Sequence, residues 1–150
     1  MSRMYYEDFV VGNVTTYGPR IVTREEIIAF ASEFDPQPMH LDEEAAKKTM
    51  LGGLSASGWH TCAIMMRLIC DGLVSNSSSW GAPGVEELKW LKPVRPGDNL
   101  SVRMTVLEKR ESKTRPAMGF VRHRIEMLNQ NGEVVLDTSY AGMFGKRNPG

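Results

Sequence analysis

Asp35 and His40 stand at the two ends of a short segment, Asp35-Pro36-Gln37-Pro38-Met39-His40. An aspartate beside a histidine is a common partnership for moving protons. The two prolines fix φ and strip the segment of backbone freedom, so both side chains are held in place before any substrate arrives. The same residues can also be read as an ordinary turn, because Asp before Pro often starts one and a histidine can simply be packed. A second group follows at Gly53-Leu54-Ser55-Ala56-Ser57-Gly58, where an apolar helix begins. The first four amides of a helix have no partner within it, and glycine lets a ligand oxygen approach the backbone. Such an end can polarise a carbonyl. Ser55 or Ser57 is placed to cap this helix, which still leaves other amides free.

The helix itself organises the chain. From Trp59 to Val74 it is apolar on nearly every side, with a narrow polar edge at His60, Thr61, Arg67 and Asp71. It is too short and too interrupted by charge to cross a membrane, which takes about 20 apolar residues, so burial by protein is expected, with Met66 and Ile69 in the core. Ahead of it, Asn13–Val22 reads as a strand that Gly18 and Pro19 confine to an edge or a bulge. Thr23-Arg24-Glu25-Glu26 is a capping box for a helix ending near Phe34. Pro36 and Pro38 make Asp35–His40 an extended, kinked loop, and a second short helix starts at Asp42. Beyond the central helix, Ser77-Ser78-Ser79 reads as polar and flexible. Strands are expected at Val85–Lys92, Asn99–Arg110, Met118–Asn129 and Glu133–Phe144, with a corner at Pro93–Asp98 and a turn at Asn131-Gly132. Helices first and an antiparallel meander after give an α+β fold, a sheet curled around one helix, in a single domain over residues 1–150.

Composition excludes several functions. Eighteen basic residues offset eighteen acidic ones, so no global field draws the protein to nucleic acid or to an anionic membrane. The amino end has acids and no signal-like apolar run, which predicts a cytoplasmic protein. Cys62 and Cys70 fall on one helix more than about 10 Å apart, beyond disulfide reach, and are read as small core residues. No metal-ligand spacing links the scattered His40, His60 and His123, so no metal is expected. His123 alternates with Val121, Ile125 and Met127 and is read as a buried histidine. His60 lies two residues inside the central helix and is read as lining the pocket, not as catalytic. Lys109, Arg110, Lys113 and Arg115 flank a turn, where a charge run is usually only solvated surface.

Phe34-Asp35-Pro36-Gln37-Pro38-Met39-His40-Leu41-Asp42-Glu43-Glu44-Ala45-Ala46 resembles the signature of the MaoC-like dehydratases and (R)-specific enoyl-CoA hydratases. Ser57-Gly58-Trp59-His60-Thr61 resembles that family's helix start, and Leu91-Lys92-Pro93-Val94-Arg95-Pro96-Gly97-Asp98 its corner before the long strands. The resemblance implies a hotdog fold, usually dimeric, so a homodimer or higher homo-oligomer is expected. It further implies that Asp35 and His40 hold and activate water and that the Gly58 amide receives a thioester oxygen, with Gln37, Ser57 and His60 around the substrate. Gln37 departs from the family's Asn and lengthens the amide's reach. The implied reaction is reversible hydration of an α,β-unsaturated acyl thioester. It needs no cofactor, coenzyme A being part of the substrate. The alternatives are an acyl-CoA thioesterase, for which the central helix offers only Asp71 near its far end, and a non-catalytic acyl-thioester-binding protein.

Overall fold

The computed structural model describes residues 3–148. Its long strands form where apolar and polar residues alternate. In β4 (Asn99–Glu111) the residues Leu100, Val102, Met104 and Val106 are buried while Ser101, Arg103 and Thr105 are half-buried on the other face. β5 (Met118–Leu128) buries Val121, His123, Ile125 and Met127 in the same way. β6 (Val134–Gly145) completes an antiparallel hairpin with β5 across the turn at Asn131-Gly132, where Gly132 takes a positive φ of 73°. β1 (Val14–Ile21) lies at the far edge against β4, and its register shifts between Tyr17 and Arg20, around Gly18-Pro19. Edge and irregularity are both what a proline in a strand requires.

Two short strands cover the opposite edge. β2 (Ser79–Gly81) and β3 (Glu87–Trp90) both pair with β6, β2 near Phe144 and β3 from Leu136 to Ser139. The expected meander therefore holds only for β4, β5 and β6. β3 does not pair with its successor β4; the corner at Pro93–Asp98 carries the chain from one edge of the sheet to β4 near the other. Hydrogen bonds from Gln130 Nε2 and the Arg95 amide to the Asp98 carboxylate, at 3.0 and 2.8 Å, pin that corner.

The helices lie between β1 and the remaining strands. α1 (Arg24–Phe34) starts at the capping box: Thr23 accepts from the Glu26 amide at 3.2 Å and Glu26 accepts from the Thr23 amide at 2.8 Å. The segment after it is only partly extended. Pro38 occupies the first position of a helical turn, α2 (Pro38–Leu41), where its fixed φ fits and its missing N–H costs nothing. α3 (Glu43–Lys47) follows with Asp42 capping the Ala45 amide at 2.9 Å.

α4 (Gly58–Gly72) is the central helix, and the sheet wraps around it in the hotdog arrangement. Ile64, Met65, Leu68 and Ile69 form one packed cluster with Val102, Met104, Ile125 and Met127. Each of those four helix side chains gains about 1.5–3 kcal/mol on burial. The expectation that α4 is buried all round is not met. Trp59 is 62% exposed and Met66 38% exposed. With Ala63 and the half-buried Cys70 they form one stripe at helical spacing along α4. Met66 is therefore a surface residue of the chain, while Ile69 is fully buried. Ser77–Ser79 is also not a flexible linker. Ser77 and Ser78 are buried, and the Ser78 hydroxyl donates to the Gly145 carbonyl at 2.8 Å, tying the end of α4 to the end of β6. No helix among the described residues is long and apolar enough to cross a membrane.

Candidate active site

α1 ends at Phe34 because Pro36 keeps Asp35 out of the helical region, and Asp35 is found at φ −153°, ψ 67°. Its carboxylate is thereby turned towards the start of α4. The Ser57 hydroxyl donates to Asp35 Oδ2 at 2.6 Å and the Gln37 side-chain amide donates to Oδ1 at 2.6 Å. These two donors, Ser57 foremost, hold the carboxyl below its ordinary range, so it is ionised near neutral pH. The longer amide of Gln37 thus reaches Asp35 directly.

His40 is buried on the α2 turn, and its Nδ1 lies 2.7 Å from the Ser55 carbonyl. A carbonyl can only accept, so Nδ1 carries the proton, and Nε2 faces Asp35 Oδ2 at 3.6 Å. That separation is too long for a direct hydrogen bond. With Nδ1–H on the Ser55 carbonyl, the Nε2 lone pair and the carboxylate oxygen are two acceptors that a donor with two hydrogens bridges from beside the pair.

The start of α4 closes the arrangement. Ser57 accepts from the Trp59 amide at 3.2 Å while donating to Asp35, so one hydroxyl serves as helix cap and carboxylate ligand. The cap passes over Gly58, whose amide has no partner among the described residues. Glycine is required there: a Cβ on residue 58 would lie 2.6 Å from Trp90 Cε2. The Trp90 indole N–H donates to the Gly58 carbonyl at 2.9 Å, and its ring meets Trp59 edge-on at 5.1 Å. Asp35, Gln37, His40 and Gly58 line a cleft of about 420 Å³ together with Trp90, Lys92 and Val94.

His60 does not join them. It stacks on Phe30 of α1 at 4.8 Å, with Nε2 3.8 Å from Glu26 and Nδ1 buried without a partner among the described residues. Two residues along an α-helix turn a side chain by roughly 200°, which carries position 60 to the face opposite Gly58. Asp71 is exposed at the far end of α4, paired with Arg67 at 3.0 Å. Lys109 donates to the Phe9 carbonyl at 2.8 Å, and the Arg110 guanidinium sits 4.0 Å over the Phe120 ring. Neither those two nor Lys113 and Arg115 line the cleft. No group of three or more His, Cys, Asp or Glu among the described residues could hold a metal ion.

Two contributors went unread in the sequence. Trp90 sits on a short edge strand, and nothing in its spacing marks it. Arg95 donates to the Gly53 carbonyl at 2.8 Å, to Ser55 Oγ at 3.0 Å and to the Leu51 carbonyl. It holds the loop whose Ser55 carbonyl orients His40. Its place between Pro93 and Pro96, in a corner that must pack, was the available signal.

The model of the MaoC like domain matches residues 10–125. A crystal structure of a MaoC-like dehydratase from Rhodospirillum rubrum is 44% identical, covers 97% of this chain and 99% of its own, and superposes with a TM-score of 0.89. The (R)-hydratase PhaJ1 from Pseudomonas aeruginosa is 25% identical over 97% of this chain and 88% of its own, with a TM-score of 0.76. A 64-residue stretch, 43% of this chain, is 44% identical to mesaconyl-CoA hydratase of Cereibacter sphaeroides, of which it spans 18%. With three quarters of its length matched by the family model and its fold shared with these structures, the chain belongs to the MaoC-like domain family.

Proposed function

We propose that the protein is an acyl-CoA hydratase or dehydratase that adds water reversibly across the double bond of an α,β-unsaturated acyl thioester. The observation that carries this reading is the 3.6 Å gap between Asp35 Oδ2 and His40 Nε2, with Nδ1 committed to Ser55 and an unpartnered Gly58 amide in the same cleft. The named activities of the dehydratase and hydratase relatives support it. A water beside the pair donates one hydrogen to each acceptor and keeps a lone pair for attack. The Gly58 N–H meets the thioester oxygen, stabilises the charge that develops there, and makes the β-carbon electrophilic. The water oxygen bonds to the β-carbon as its proton passes to the Asp35–His40 pair, and a proton from the pair completes the α-carbon. Dehydration runs the same steps backward. Coenzyme A enters as part of the substrate, and no separate cofactor takes part.

A second copy of the chain is the partner this reading includes. The stripe of Trp59, Ala63, Met66 and Cys70, with Trp80 and Trp90 also exposed nearby in the chain, leaves an apolar face that a homodimer covers.

Asp35→Asn and His40→Gln, each nearly isosteric, should lower turnover of a good enoyl-CoA by about 10²–10⁴-fold with the fold and acyl-CoA affinity retained. The double variant should lose little more than either single one, because both groups act on one water. Loss of enoyl absorbance, followed beside thioester cleavage, measures this. Wild-type rates in both variants would return the two residues to shaping a loop.

A further inference from the structure

A second cavity, between α4 and the inner face of the sheet, is not used by the chemistry above. It encloses about 500 Å³, lined chiefly by apolar side chains such as Met65, Ile69, Met104 and Phe144. Trp59 is the one residue named in the linings of both this cavity and the catalytic cleft, so the two spaces abut at its indole. An acyl chain whose thioester oxygen sits on the Gly58 amide has this cavity immediately behind the next residue of α4.

Besides Cys62 and Ser79, whose hydroxyl accepts from the Gly81 amide, two polar side chains break the apolar lining. His123 on β5 and Tyr140 on β6 are direct cross-strand partners, and both face the cavity. His123 is only 4% exposed and has no hydrogen-bond partner among the described residues; its ring meets Phe9 edge-on at 5.6 Å. Tyr140 likewise has no hydrogen-bond partner among the described residues, and burial pushes its hydroxyl up from its ordinary range. Burial also pushes the His123 imidazole down, to about 4. Both groups are therefore uncharged at neutral pH, and each keeps a donor and an acceptor. Buried polar groups are nearly always paired, so the buried His123, unpartnered beside the half-buried Tyr140 in a roomy cavity, asks what completes it. The pair lies deep: Trp90, beside Gly58, is opposite Leu136, and Tyr140 is four residues further along β6, about 13 Å at the usual rise.

Resting on the hydratase reading, we propose that the acyl chain of the substrate carries a neutral oxygen function, a hydroxyl or a ketone, remote from the thioester, and that His123 and Tyr140 bind it. A plain hydrocarbon in the cavity would leave both groups unpaired in an apolar surrounding. A carboxylate would be desolvated without a countercharge, since His123 is neutral there. An oxygen that accepts from one group, or a hydroxyl that bridges the two, satisfies the site.

The test uses 2-enoyl-CoA thioesters of matched length: plain, with a hydroxyl or ketone at each of several distal carbons, and with a terminal carboxylate. kcat/KM is measured for each, and the Kd of the saturated counterparts is measured by calorimetry, which requires no turnover. At least one oxygenated thioester should be favoured over the plain chain by about tenfold in both measurements, the worth of one well-made neutral hydrogen bond. His123→Phe and Tyr140→Phe should bring that ratio towards one. Equal values for plain and oxygenated chains in the wild type would overturn the inference, as would a ratio that survives both substitutions. Turnover without the preference sinks this inference and leaves the hydratase reading standing; the preference in calorimetry without turnover does the reverse. If His123→Phe does not fold, Tyr140→Phe, which removes a single oxygen, and the wild-type ratio still decide.

Discussion

Placing alanine at position 58 tests the contact on which the cleft is built. A Cβ there would stand 2.6 Å from Trp90 Cε2, 2.8 Å from Nε1 and 3.0 Å from Cδ2. Carbon atoms pack best at about 3.5–4.0 Å, so the indole must withdraw by roughly 1 Å. Crowding of that kind costs about 1–3 kcal/mol. Withdrawal also gives up the bond from the indole N–H to the Gly58 carbonyl, about 0.5–1.5 kcal/mol, and the edge-on contact with Trp59, of similar worth. The better helix propensity of alanine returns at most about 1 kcal/mol. The net loss is about 3 kcal/mol, which for 150 residues lowers Tm by roughly 6–12 °C. Thermal unfolding followed by circular dichroism reads it directly. In a Trp90→Ala background the obstacle is gone, so Gly58→Ala should cost less than about 1 kcal/mol and the double-mutant cycle should show a coupling of about 2 kcal/mol. A Gly58→Ala protein within about 0.5 kcal/mol of wild type, or one equally damaged in both backgrounds, would refute the packing argument.

Met66→Arg places a charge in the exposed apolar stripe of α4, and light scattering should then report a monomeric mass with the circular dichroism of the fold retained; an unchanged dimer would remove this face from the interface. Arg95→Met deletes the donors to Leu51, Gly53 and Ser55 and should cost about 2–4 kcal/mol in urea denaturation, and Arg95→Lys should recover little, because one ammonium cannot span the same carbonyls. The lowered pKa of Asp35 makes folding tighter above its unfolded value near 3.8, and that contribution fades as pH falls through the folded value. The stability difference between wild type and Asp35→Asn should therefore shrink as pH is lowered below about 4, and a constant difference across that range would contradict the sign.

What was legible in the sequence was what neighbours in the chain decide. The capping box at Thr23, the Asn131-Gly132 turn and the alternation in β4 and β5 each follow from residues within a few positions of one another, and each is found. What depended on distant partners was not legible. Ser77-Ser78-Ser79 has the composition of a loose linker, but its fate is set by a carbonyl 67 residues away. β3 was expected beside β4 because strands adjacent in sequence usually pair, and its alternative partner β6 lies across the corner. The exposed stripe on α4 is a different kind of miss. Apolar periodicity reports that a face is to be covered, and it does not distinguish cover by the same chain from cover by another. His60 was misplaced by treating nearness in sequence as nearness in space on a helix that had turned away.

The site was legible in its side chains and hidden in its backbone. Asp35, Gln37 and His40 announce themselves by type, but what fixes their geometry is the Ser55 carbonyl that accepts from His40 Nδ1 and the amide of Gly58 that no side chain caps. The free amide depends on Ser57. Its proton is committed to Asp35, so its lone pairs serve the helix, and they reach the second amide of α4 and leave the first one free. The same hydroxyl therefore joins the end of α1 to the start of α4. A carboxylate ionised at the positive end of a helix gains from the helix dipole as well as from its donors, and the arrangement that keeps Asp35 charged is the one that leaves Gly58 open to a carbonyl.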